Sequence, residues 1–429
     1  MSPTVLAVLC LVLMIGLMFL RMPIAFAMLA VGFGGAAYFS GIPSALQLLA
    51  SDVYRQFSSY SMAVVPLFIF MGQIIFNTGM STKLFDAAYK WIGSFRGGVA
   101  ATTIAASIAF SSVSGSNAAA TATMGAVALP EMKRYNYDRR LAGGSVAIGG
   151  TLGILIPPST ALIIIAVQSE QSIATLFKAA LAPGLLVGVL LLVTAFVIAW
   201  RNPELGPAGT RSTWSERFRS LGGVVEVVIL FLFAIVGMFV GLFTPTEAAG
   251  VGAAGAVIIA LVTRQLTWER FWKSVIETLR TSAFVVLLVA GAIVFGRFLA
   301  LTRLPFDLAE WVSELPVAPT VILLVVIAIY LVGGALMDAL GFLVISIPIF
   351  FPLMTALGYD LVWTTIIVTL VTTIGAVTPP VGVNVFIVSG LDKTFDVMTV
   401  FRGVMPFYIP YALAIAFFII VPEAILFAV

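Results

Sequence analysis

Histidine is absent from the 429 residues, and cysteine occurs once, as Cys10 inside an apolar stretch. A disulfide within the chain is therefore excluded. So are zinc centres built on His or Cys, imidazole proton relays and nucleophiles activated by histidine. Charge is scarce too, at 10% of residues, where a soluble protein carries roughly 25%. The small cationic excess, 22 Lys and Arg against 19 Asp and Glu, lies in short clusters between apolar segments and implies no nucleic-acid partner. What fills the space is apolar: 61% of residues, with a mean hydropathy of +1.15. Such a chain is a polytopic, all-α protein of the lipid bilayer. Its first apolar segment (residues 5–20) has no basic residue before it and no clear small-residue cleavage site. It reads as a retained helix rather than a leader.

Length and charge give a topology. Basic clusters at Lys83/Lys90/Arg96, Lys133/Arg134/Arg139/Arg140, Arg201/Arg211/Arg217/Arg219 and Arg264/Arg270/Lys273/Arg280 belong in the cytoplasm. Spans are predicted at 4–20, 23–39, 61–79, 141–167, 184–200, 223–242, 246–263, 281–300, 361–388 and 405–421. Residues 97–130 do not fit as a span, because both flanks carry cytoplasmic clusters. The polar string Ser111–Asn117 divides them into legs of about 14 residues, too short to cross alone. They are predicted to form a re-entrant hairpin whose tip lines a cavity. A second hairpin is predicted over 317–357, entering from the opposite, acid-flanked side. Two amphipathic stretches, 44–57 and 267–279, are expected along the membrane interface.

The chain also repeats itself. Pro130, Met132, Asp138, Thr151, Gly153, Pro157 and Pro158 recur as Pro352, Met354, Asp360, Thr373, Gly375, Pro379 and Pro380, all at one separation (352 − 130 = 222). Each half then holds five crossings and one hairpin, and an odd crossing number sets the halves in opposite orientation. The expected domains are a first inverted repeat over 1–200, a cytoplasmic linker over 201–220 and a second repeat over 221–429. About ten transmembrane helices and two hairpins result, the plan of a transporter with its site at the midplane.

The shared Thr-x-Gly-x-x-x-Pro-Pro breaks a helix, because two consecutive prolines lack amide hydrogens. Freed carbonyls suit a cation and freed amides an anion. At the first break, Gly153 and Pro157 stand beside the hairpin tip Ser114, Ser116 and Asn117, an oxygen-rich set that suits a hard cation such as Na+. At the second, Thr373, Gly375 and Thr378 stand beside Gly334 and Asp338. Asp338 matches Ser116 in the repeat and reads as a cation ligand, a proton carrier or a helix cap. Ser116, Asn117, Pro158, Ser159, Thr160, Pro380 and Asn384 are candidates for substrate contact. Glu247 reads as the closing member of a helix-capping box, and Arg297 as a side chain that snorkels. No acid pair, His or Cys offers a positioned nucleophile, so catalysis is not expected.

On Ser114-Gly115-Ser116, Pro130-Glu131-Met132, Ile156-Pro157-Pro158-Ser159, Met337-Asp338 with Pro348–Pro352, and Thr378-Pro379-Pro380-Val381-Gly382, the chain resembles the large membrane subunit of tripartite ATP-independent periplasmic (TRAP) transporters. The resemblance covers essentially the whole chain. It implies a sodium-coupled, elevator-type importer of organic acids such as C4-dicarboxylates or sialic acids, in the bacterial inner membrane. It also implies Na+ at each hairpin–broken helix pair, a small four-helix membrane subunit as a separate polypeptide, and a soluble periplasmic substrate-binding protein. A stand-alone divalent anion:sodium or proton symporter is the alternative.

Overall fold

The computed structural model describes residues 2–427, and its regular structure is helical, with no strand among the described residues. Residues 1, 428 and 429, at the outer edges of the expected repeats, lie outside the described residues. Eight helices are long and apolar enough to cross a membrane, or nine if the bent pair Trp214–Leu221 and Val225–Phe239 counts as one. Large apolar side chains point outward along them, Val189, Leu232, Ile258 and Ile409 among them, as lipid-facing positions should.

Both hairpins are present. The first runs Gly98–Ser114 and Asn117–Arg134. Its legs have 17 and 18 residues, longer than expected, because the first helix runs on through Ser111–Ser114 and Pro130 sits inside the second without ending it. Gly115, at φ +59°, takes the left-handed conformation that closes the first leg, and the Ser116 hydroxyl caps the second. The second hairpin, Pro319–Leu336 and Ala339–Ala356, turns at Met337 and Asp338.

The two broken helices are equally plain. The first holds Arg139–Gly150 and Leu152–Leu155, then resumes at Thr160–Gln168 with Ser159 as its cap. The second holds Leu361–Gly375 and Val383–Leu391. Both Pro–Pro bonds in the breaks are cis. The duplicated aspartates do one job twice. Asp138 accepts from the Arg140 amide at 2.8 Å and Asp360 from the Trp363 amide at 2.9 Å, each capping its broken helix.

One expected match between the halves fails. Residues 42–57 form a separate amphipathic helix, Ile42–Phe57, before Tyr60–Asn77. Residues 267–279 instead begin a single 35-residue helix, Trp268–Thr302. After Phe57 the chain has two serines, and the Ser58 hydroxyl bonds back to the Arg55 carbonyl as the helix ends. At the corresponding place Thr278 bonds to the Ser274 carbonyl inside an unbroken helix.

Two groups of helices result. Ile24–Ser40, Val64–Asn77, Pro245–Val262 and Trp268–Thr302 pack on one another, and we call them the scaffold. Each hairpin packs on its own broken helix, and the first broken helix also packs on Val397–Val404. Arg297 does not snorkel. It makes a two-pronged contact with buried Asp52, Nε to Oδ2 at 3.2 Å and Nη2 to Oδ1 at 3.1 Å, pinning the amphipathic helix to the scaffold.

Candidate transport site

Each hairpin tip is joined to its broken helix by glycine. A Cβ on Gly153 would lie 2.5 Å from the Ser116 carbonyl oxygen, and one on Gly375 would lie 2.7 Å from the Gly334 carbonyl carbon. Only hydrogen fits there, so the two backbones touch. Hydrogen bonds repeat the pattern. Thr160 Oγ1 donates to the Gly115 carbonyl at 2.8 Å, and the Ile154 amide donates to Asn117 Oδ1 at 3.0 Å. At the other joint the Val381 and Gly382 amides both donate to the Ala335 carbonyl, at 3.2 and 3.3 Å.

The tips meet across one cavity of about 570 Å³. Ser114, Ser116, Asn117 and Thr160 line it from the first joint, and Asp338 from the second hairpin. Ser114 Oγ and Asn117 Nδ2 are buried there without a hydrogen-bond partner. Asp338 caps its helix, Oδ2 accepting from Leu340 at 3.1 Å and Gly341 at 3.4 Å. Its other oxygen is left to the cavity. Ser159 is fully buried and spends its hydroxyl on the Leu162 amide, and Pro158 is buried with its carbonyl against Gly115. Pro157 is buried beside it.

The structure does not bring Pro380 or Asn384 to this cavity. Asn384 is fully buried, and its Nδ2 donates to the Ala147 carbonyl at 3.1 Å. That bond ties the second broken helix to the first, while Asn384 Oδ1 is buried without a partner. Gly334, Thr373, Gly375 and Thr378 gather behind the second tip. Thr373 and Thr378 donate to the carbonyls of Leu370 and Ile374, leaving hydroxyl lone pairs free to accept. The repeat-matched Thr151 contacts the buried Tyr411 hydroxyl at 2.6 Å. Glu247 closes a capping box with Thr244, as its spacing predicts.

Sequence reasoning missed the opposite wall. Gln73, Phe76, Glu277, Thr281 and Phe284 of the scaffold line the cavity. No repeat or local motif marks them in the sequence. Asn77 Nδ2 joins their cluster, donating to Ser274 Oγ at 3.0 Å and Glu277 Oε2 at 3.1 Å. No group of three or more His, Cys, Asp or Glu that could hold a metal occurs among the described residues. Any cation here is held by hydroxyls, carbonyls and at most one or two carboxylates.

Known proteins resemble the chain throughout. The family model described as tripartite ATP-independent periplasmic transporter, DctM component, matches residues 11–424. The C4-dicarboxylate TRAP transporter large permease protein DctM of Pseudomonas aeruginosa is 34% identical over 350 residues, covering 81% of this chain and 82% of that one. The 2,3-diketo-L-gulonate TRAP transporter large permease protein YiaN of Escherichia coli is 31% identical over 408 residues, 94% of each chain. The sialic acid TRAP transporter large permease protein SiaM of Vibrio cholerae is 31% identical over 414 residues, 95% of each. In fold, the chain is similar to the solved Alcanivorax borkumensis YdaH transporter, with a TM-score of 0.64 over 99% of this chain and 100% of that one, at 14% identity.

Proposed function

The chain belongs to the family of tripartite ATP-independent periplasmic transporters as its DctM component, a multi-pass inner-membrane permease, and from that premise we propose that it imports an organic acid coupled to sodium by an elevator motion. The relatives are named as permeases for a C4-dicarboxylate, a diketogulonate and a sialic acid, and a carboxylate is the chemistry they share. A soluble periplasmic binding protein delivers the acid, and a small four-helix membrane subunit completes the complex.

One observation carries this reading: two hairpin tips, each fused by glycine contacts to its own broken helix, face each other across a single cavity. Sodium is a co-substrate here. At the first joint Ser114, Ser116 and carbonyls next to Gly153 and Pro157 offer it oxygen. At the second, carbonyls near Gly334 and Gly375, the Thr373 and Thr378 hydroxyls and Asp338 do so. The carboxylate is held by the unpartnered Asn117 side-chain amide, with the N-terminal end of the helix beginning at Thr160 beside it. The Val381 and Gly382 amides are already bonded to Ala335, which favours the first joint for the anion. Ions at the joints draw in the tip oxygens, so sodium and substrate favour each other's binding.

The repeats lie in opposite orientation in the membrane, as their charges direct. The cavity runs from the tips toward Glu277, which lies 4.0 Å from Lys273 of a basic cluster. By the positive-inside rule that mouth faces the cytoplasm. The hairpins and broken helices then move as a body along the scaffold to open outward.

Uptake into proteoliposomes holding this chain and its membrane partner, fed by the binding protein, tests the proposal. With an inward sodium gradient the acid should accumulate. Equal uptake with potassium in place of sodium would overturn the coupling.

A further inference from the structure

The transport reading leaves the class of acid open, and the lining of the cavity narrows it. Among its described lining residues the only ionisable side chains are Glu277 and Asp338, with no Lys or Arg. A second carboxylate on a substrate would find no fixed cation there. Much of its wall is apolar, contributed by Ile24, Ile69, Phe76, Phe110 and Phe284. Hydroxyls spread along a sugar acid would be stripped of water against these groups without partners.

The polar groups without partners differ in kind between the hairpin side and the scaffold side. On the hairpin side the unpartnered atoms are the Asn117 Nδ2 donor and the Ser114 hydroxyl. On the scaffold side they are acceptors: Gln73 Oε1 is buried without a partner, and Glu277 is a carboxylate. Asn77 fixes that carboxylate through Oε2 at 3.1 Å. Lys273 stands 4.0 Å from Oε1 but is 59% exposed, so water weakens its hold.

We propose that the cavity selects a monocarboxylate with an apolar body and a hydrogen-bond donor at its far end, and that Glu277 turns dicarboxylates away. The carboxylate meets the first hairpin tip and the ions. The body packs on the phenyl rings, and the distal donor reaches Gln73 and Glu277. A cavity of about 570 Å³ accommodates an aromatic acid of this kind. The inference rests on the transport reading and specifies its substrate class.

Calorimetric binding to the purified complex of this chain with its membrane subunit, in sodium chloride, tests it. The probes are 4-hydroxyphenylacetate, phenylacetate, succinate and gluconate. The aromatic hydroxy acid should bind at least tenfold more tightly than succinate or gluconate, with phenylacetate between. Glu277→Gln keeps an oxygen for Asn77 and removes the charge. It should tighten succinate at least fivefold and weaken 4-hydroxyphenylacetate, whose hydroxyl loses its charged acceptor. Succinate or gluconate as the tightest probe of the wild type would overturn the proposal without any variant. So would unchanged succinate binding by E277Q. Sodium-driven uptake of succinate in that case would leave the transport reading standing. No binding by any probe in sodium would overturn the substrate class, while accumulation of some other acid in the uptake assay would still uphold transport.

Discussion

At the scale of single residues the account rests on glycines, because each hairpin meets its helix where no side chain fits. Gly153→Ala and Gly375→Ala press a Cβ against backbone on both sides. Each should lower stability by about 1–3 kcal/mol, read as a lower melting temperature in detergent, and abolish uptake. Gly250→Ala, with nothing within 4 Å of the added carbon, should melt within about 0.5 kcal/mol of the parent. Asp338→Asn keeps an oxygen for the Leu340 and Gly341 amides while removing the charge. It should raise the sodium concentration for half-maximal uptake about tenfold or more, a loss of about 1.4 kcal/mol. Unchanged sodium dependence would remove Asp338 from the ion site. These residues were legible in the sequence because they are duplicated at one separation or interrupt a long apolar run. Gln73, Glu277 and the Asp52–Arg297 pair were not. No local motif distinguishes them from their neighbours, and their partners lie far along the chain, so only folding reveals what they face.

At the scale of elements, the duplicated caps and prolines made the hairpins and broken helices readable to within a few residues. The 35-residue helix Trp268–Thr302 was not readable, since its charged start and apolar remainder differ in hydropathy although the helix runs through both unbroken. The tie that Asn384 makes was hidden for a related reason: its Nδ2 partner is the Ala147 carbonyl of the other repeat. Between elements, the base of the first hairpin is clasped to the loop after the second broken helix by the Lys133–Asp392 ion pair. The Lys133 ammonium, helped by the Thr394 amide, holds the Asp392 carboxyl down at about 2 against an ordinary 3.8. A depressed carboxylate stabilises the fold above its unfolded value and loses that contribution as pH falls through the folded one. The clasp should therefore act fully above about pH 4 and vanish toward about pH 2. Being partly exposed, it contributes less than about 1 kcal/mol. Melting temperatures of Asp392→Asn and the parent should differ slightly at pH 7 and converge in acid. A constant difference across that range would contradict the assignment.

At the scale of the whole molecule, the packing separates a scaffold from a body of hairpins and broken helices, and the central claim is that the body moves against the scaffold when sodium and substrate bind. The chain suits a direct test, because Cys10 is its only cysteine. In a Cys10→Ser background, spin labels at Lys393→Cys and Glu269→Cys, both exposed positions, report the distance between body and scaffold. A second pair at Lys393→Cys and Arg134→Cys reports a distance within the body. Pulsed electron-resonance distances are measured in membranes with potassium, then with sodium and the transported acid. The body-to-scaffold distance should redistribute by several ångströms, while the distance within the body stays fixed. A body-to-scaffold distance indifferent to sodium and acid, or one that changes only as much as the internal pair, would contradict the elevator account.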